Sequence, residues 1–202
     1  MIGLVLKDLI NLKKQLKIFI FMLVFYFIFS MTTKNGSMFG TMVTLLFAMQ
    51  PITALAFDEK ANWDKYALAM PVSRAEIVIS KYVLGILLSL FAALLNFIAQ
   101  FLLGTEINVD NIIAVFVIFS VSIIFFSLLL PVIFKFGVEK GRLLMFIVLM
   151  LPTLIILIFK DTFSSITQDM IIKAIYGLPL LAIAILILSM LLSISIYKKK
   201  EF

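Results

Sequence analysis

The chain has 202 residues, 64% of them hydrophobic, with a mean hydropathy of +1.22. A soluble domain is roughly half apolar; here too little polar surface remains to cover a soluble globule, so the chain is read as an integral membrane protein of one domain, 1–202. The net charge of +6 points to orientation in a bilayer rather than to nucleic acid, and the lack of Cys and His removes disulfides, thiolate metal sites and the commonest general base.

The N-terminal stretch, 1–15, carries Ile2, Val5, Leu6, Leu9, Leu12 and Leu16 at helical spacing, with Lys7, Asp8, Asn11, Lys14 and Gln15 on the other face. This pattern predicts an amphipathic helix lying in the cytoplasmic interface, as a plain anchor or as a helix that also touches a partner. Six apolar runs follow that are long enough to cross a hydrocarbon core of roughly 30 Å: 16–33, 38–57, 82–103, 111–134, 143–159 and 171–197. In lipid each must bond its own backbone, so all are predicted as helices and the fold class is all-α, polytopic. Pro51, Pro131, Pro152 and Pro179 fall inside these runs, where kinks are tolerated, and Lys34-Asn35-Gly36-Ser37 is a tight turn. The basic Lys13–Lys17 stretch before the first run also resembles a signal peptide, but no small-x-small site follows and the run is read as uncleaved.

Between the second and third runs lies 58–81, which holds eight of the 28 charged residues and the only Trp. Trp63, Tyr66, Ala67 and Met70 fall at i, i+3, i+4 and i+7, which predicts one apolar helix face. Such a face suits docking into a groove on a soluble partner; anchoring of Trp63 and Tyr66 at lipid headgroups is the equal alternative. Pro71 breaks the helix. Ser73-Arg74-Ala75-Glu76 forms a capping box with Val72 and Ile77 as the hydrophobic staple, so a new helix starts near Arg74 and runs into the third span. The result is a rigid elbow fixed to a membrane helix, able to transmit a push.

Fourteen of the 17 Lys and Arg lie in the N-terminal segment, the 58–81 loop, the loop after 134 and the tail. The positive-inside rule therefore puts both termini and the 58–81 loop in the cytoplasm, with Tyr82 and Tyr197 at that interface and Tyr176 near the outer one. Apart from Lys173, no span so drawn holds Asp, Glu, Lys or Arg away from its ends. That weakens an ion-coupled mechanism. Gln50, Asn96 and Gln100 are the main intramembrane polar residues, either lining a pathway or bonding between helices.

The order Asp58-Glu59, Trp63, Leu68, Met70-Pro71-Val72-Ser73-Arg74, Glu76-Ile77-Val78, Ser80-Lys81-Tyr82 resembles the permease subunits of bacterial ABC-2 type exporters. Among these it is most similar to the small six-helix permeases that export phenol-soluble modulin peptides, and the fold it implies is type V exporter-like. The resemblance covers the whole layout. It implies a pathway formed by two permeases, as a homodimer or heterodimer, in a bacterial plasma membrane. Cytoplasmic ATPase subunits below bind the ATP and Mg²⁺. The loop is then a coupling helix, with Asp58, Glu59, Trp63, Tyr66, Ala67, Met70, Pro71, Val72, Ser73, Arg74 and Glu76 meeting the ATPase. The implied cargo is hydrophobic or amphipathic: toxin or antimicrobial peptides, with lipids, bacteriocins and hydrophobic antibiotics fitting nearly as well.

The chain has no GxxxxGK[ST] loop and is expected not to be the ATPase. A membrane-embedded metalloenzyme needs His or buried carboxylates to hold its ion, and the sequence offers neither, so no metal, cofactor or catalytic residue is expected in this chain. A non-transporting immunity or assembly factor is the remaining alternative, opposed by the patterned elbow.

Overall fold

The computed structural model describes residues 1–33, 36–67, 69–103, 108–158 and 167–200. Of the expected turn at 34–37, Lys34 and Asn35 lie outside the described residues, as does Leu68 of the loop. The described elements are all helical: α1 Ile2–Lys13, α2 Leu16–Thr33, α3 Gly36–Ala48, α4 Gln50–Lys60, α5 Trp63–Ala67, α6 Arg74–Leu102, α7 Val109–Phe136, α8 Val138–Ile158 and α9 Gln168–Lys198. Five stretches are long and apolar enough to cross a membrane: 16–33, 38–60 (α3 and α4 together), 74–102, 111–136 and 172–198. The expected span 143–159 falls on α8, which is not among the five; the side chains of positions 152, 155, 156 and 159 lie outside the described residues.

Local chemistry fixes the helix ends. Pro51 has no N–H to donate to Phe47, so the second span breaks between α3 and α4 and restarts with Pro51 in the first turn of α4. Gln50 Nε2 covers the loosened Leu46 carbonyl at 2.9 Å. The Ala61-Asn62 reversal after α4 places Asn62 at φ +49°, a left-handed conformation that Asn tolerates. Ser73 caps α6 with both bonds of the predicted capping box present. Val72 packs on the cluster that contains Ile77, as the staple requires. Gly137, at φ +83°, turns α7 into α8.

Lipid supplies no hydrophobic drive between helices, so close packing and polar contacts must hold the bundle. Gly40 of α3 lets α6 approach so closely that a Cβ there would lie 2.2 Å from Asn96 Nδ2. Small residues Ser89, Ala92 and Ala99 line the same buried face of α6. A second core joins α6, α7 and α9 around Tyr82, Phe126, Phe134 and Tyr197. Tyr82 and Tyr197, expected as interface anchors, are instead each fully buried there, because their hydroxyls find partners inside the bundle.

The Tyr82 partners solve a backbone problem. Pro131 lies inside α7 and cannot donate to the Ser127 carbonyl one turn earlier. Ser189 Oγ of α9 donates to that carbonyl instead. With its one proton so used, Ser189 accepts from Tyr82 Oη at 2.6 Å, and Tyr82 in turn accepts from Ser193 Oγ at 2.8 Å. This directed chain ties three helices at the kink. Ser189→Ala is expected to cost roughly 1–3 kcal/mol by leaving a buried carbonyl unpaired. Combined with Tyr82→Phe it should be less than additive, as expected of one network; unfolding in mixed micelles measures both.

Candidate functional site

The ends of α4, α7 and α9, the starts of α5, α6 and α8 and the middle of α1 meet at one end of the bundle. Side chains far apart in sequence tie them together there. Glu59, exposed at the end of α4, accepts from the Val138 N–H at 2.7 Å. It thereby caps α8, where a carboxylate also suits the helix dipole. A Cβ on Gly137 would press to 2.9 Å from the same carboxylate. Tyr197 Oη of α9 donates to Asp64 of α5 at 2.8 Å. Arg74 Nη1 donates to the carbonyls of Lys198 at 2.5 Å and Lys200 at 3.2 Å, holding the C-terminal end of α9 as a C-capping cation does.

Behind these ties lies a four-charge cluster in which Asp8, Asp58 and Lys81 are buried and Lys7 is half-buried. Lys81 Nζ of α6 donates to both oxygens of Asp8 at 2.7 and 2.8 Å and to Asp58 Oδ2 at 2.5 Å. Lys7 bonds Asp58 Oδ1 at 2.6 Å and lies 3.1 Å from Asp8. Lys81 and Asp8 are each 1% exposed and Asp58 5%. Two ammoniums thus face two carboxylates, and every buried charge has an opposite partner. Lys7 also sits 4.4 Å from the centre of the Trp63 ring, a cation–π contact that carries the cluster into the elbow.

This cluster corrects two expectations. Asp58 was placed at the start of the 58–81 loop, and the spans were read as free of inner charge. Instead α4 runs on to Lys60, so Asp58 is helical, and Lys81, on the helix expected from Arg74, turns its charge into the bundle. Asp8 was assigned to a solvated face of α1; it turns inward, because only the bundle offers it a cation, while Ile2, Leu6 and Ile10 remain exposed.

The predicted docking face is also divided. α5 is only five residues long. Ala67 is buried, and Trp63 packs on the core under Lys7. Tyr66 and Met70 point outward at 63% and 47% exposure, beside the exposed Pro71 and Ser73. The i, i+3, i+4, i+7 pattern holds for a longer helix than the one that forms. Val72, Arg74 and Glu76 are half-buried, with Glu76 closing the capping box. Of the three intramembrane amides, Asn96 is wholly buried against Gly40 and accepts from Gln100 Nε2 within its own helix at 3.1 Å. Gln50 lies apart from them, lining a slot beside α1.

Such an arrangement has the parts of a mechanical joint: a rigid helix start, an exposed knuckle and ion-paired ties to the neighbouring helices. The profile of the family described as ABC-2 family transporter protein matches residues 3–198, nearly the whole chain. The chain belongs to the ABC-2 transporter family. It is a membrane permease subunit, and membership implies in general an ABC ATPase as partner. No curated relative matches the chain.

Sequence reasoning on this permease found the elbow but missed Lys7, Asp8, Lys81 and Tyr197 as its supports. The available signal was that Asp58 and Lys81 stand at the edges of two apolar runs and Lys7 and Asp8 within the amphipathic stretch; which charge faces which is a tertiary fact. Lys81→Met leaves two buried carboxylates to one ammonium and is expected to cost roughly 3–5 kcal/mol. Adding Asp8→Leu restores one-to-one pairing through Lys7 and Asp58, and most of that loss should return in the same unfolding measurement.

Proposed function

We propose that this permease is the membrane-spanning subunit of an ATP-driven bacterial exporter. Its elbow at Tyr66–Ser73 receives the push of a cytoplasmic ATPase subunit, which binds the ATP and Mg²⁺. The observation that carries the reading is the elbow's construction. Tyr66 and Met70 are exposed on a short segment, followed directly by the capped start of a 29-residue helix that reaches through the bundle. Displacement of that segment by a partner moves α6 as a rod. Trp63, through Lys7, and Arg74, through the end of α9, pass the same displacement to α1 and α9.

The reading includes six crossings. α8 begins where Glu59 holds Val138, at the end of the bundle where α9 finishes beside Asp64 and Arg74. A chain that leaves this end and later returns to it through α9 must cross outward in between, and α8, at about 1.5 Å per residue over 21 residues, is long enough. An even number of crossings leaves both termini on one side, and the excess of Lys and Arg there makes that side cytoplasmic. The exposed apolar side chains of α1 then rest in the interface.

The pathway is completed by a second permease, the same or related. For cargo, a cleft of about 280 Å³ between α3, α7 and α8 is lined by apolar side chains with Thr41, Thr44 and Ser122 among them. Thr44 Oγ1 has no hydrogen-bond partner among the described residues. An apolar wall with a few hydroxyls suits an amphipathic peptide, as in the exporters of phenol-soluble modulins or antimicrobial peptides, better than an ion.

The double change Tyr66→Glu, Met70→Glu should abolish recovery of the ATPase subunit with the tagged permease while leaving its unfolding midpoint unchanged. Trp63→Ala should instead lower the midpoint, since its ring supports the bundle. Arg74→Glu sets a carboxylate against the α9 carbonyls; complex recovery should survive while ATP-driven peptide export in proteoliposomes falls. Full ATPase recovery with both glutamates in place would remove the elbow from the interface.

A further inference from the structure

We propose that the corner between α1 and α2 is a binding site for an anionic glycerophospholipid, its headgroup on Lys13 and one acyl chain in the slot below. The slot encloses about 470 Å³, within the roughly 300–1,000 Å³ of small-molecule sites. α1 and α2 form two of its walls. Phe47 of α3, Gln50 of α4 and Leu88 and Phe91 of α6 close it behind. The lining is otherwise apolar, and Lys13 is its one charged member.

Two observations choose this occupant. The first is charge. Lys13 is joined at the same corner by Lys14 and Lys17, all three exposed and, among the described residues, in no ion pair. The acidic residue nearest in sequence, Asp8, is turned away and already paired with Lys81 and Lys7. Three unneutralised ammoniums where an interfacial helix becomes a span match an anionic headgroup, as basic pockets on the cytoplasmic side of membrane proteins do. The second is depth. Leu12, beside Lys13, packs on Ala54, and Gln50 lies one turn further from the Lys60 end of α4. The slot therefore runs from the basic corner toward the membrane interior, the direction an acyl chain takes. The proposal rests on the interfacial placement of α1 and not on any cargo or ATPase partner.

The test uses the full-length permease in nanodiscs of phosphatidylcholine with or without phosphatidylglycerol, followed by native mass spectrometry of the released protein. One phosphatidylglycerol per chain should be retained in preference to phosphatidylcholine. Ile20→Trp, which fills the slot from its exposed side, should abolish retention. Lys13→Gln should weaken it about fivefold, the worth of one cation near an anionic surface. Lys199→Gln, an equal loss of charge on the tail, should leave it unchanged. Circular dichroism and the unfolding midpoint confirm that each variant is folded. Equal retention of the two lipids, or undiminished retention in folded Ile20→Trp, overturns the proposal. Displacement of the bound lipid by an added amphipathic peptide also overturns it, assigning the slot to cargo. Loss of ATPase recovery in the elbow variants has no bearing on these results, so the two readings fail separately.

Discussion

One ammonium and two carboxylates lie where almost no water reaches them, with a second, half-buried ammonium at their edge, and ions so placed must neutralise one another or lose their charge. Lys81 meets this constraint by bonding Asp8 and Asp58 together, and Lys7 completes the balance. The cost of desolvating three charges, and part of a fourth, makes the cluster weak as a source of net stability. Its consequence is positional. α1 cannot leave the bundle without stranding Lys81, and α4 and α6 cannot slide past each other without separating Asp58 from it. The elbow inherits this fixity, because α5 follows α4 after a two-residue reversal and Trp63 lies against Lys7.

A second fixed point lies further along the bundle and has a different origin. The Pro131 kink frees a carbonyl that lipid cannot solvate. Ser189 supplies the missing proton, and the hydroxyls of Tyr82 and Ser193 follow in sequence. α6 is therefore held twice at one level, by ions at Lys81 toward α1 and α4 and by hydroxyls at Tyr82 toward α7 and α9, adjacent residues in the third turn after its cap. On its other flank it meets α3 through Gly40 and Asn96, where the absence of a side chain rather than a bond allows the approach. A helix held in this way near one end and packed closely along its length moves as a body, which is what a coupling element requires.

The elbow also shows how one amphipathic pattern serves two surfaces. Trp63 and Ala67 face the protein, while Tyr66 and Met70 face away from it. The inner pair fixes the outer pair in place, so a partner that grips Tyr66 and Met70 meets little slack before α6 moves. The same division governs α1: Asp8 and Leu12 face inward and Ile2, Leu6 and Ile10 outward. In a membrane protein the polar side of an interfacial helix can be the buried side, since lipid takes the apolar one.

Much of the fold was legible without coordinates. Long apolar runs set five of the described crossings, because backbone groups in lipid leave the helix as the only local solution. Ser73 and Glu76, three residues apart, located the start of α6, because a cap acts within one turn; Pro51 was read only as a tolerated kink in one span, where the helix in fact breaks and restarts as α4. What lay beyond a turn was decided by tertiary structure. Nothing in the sequence pairs Lys81 with residues 73 and 23 positions away, nor hands the Ser127 carbonyl to Ser189 on another helix. The face of α5 was misjudged for the same reason: periodicity reports which side chains share a side, but only the neighbouring helices decide which side is inside. The sequence by itself determined a helical membrane protein with a capped elbow, since hydropathy and capping are local energies. The tertiary structure alone decided which charges neutralise each other and which surfaces stay open to a partner, since those depend on what approaches each residue through space.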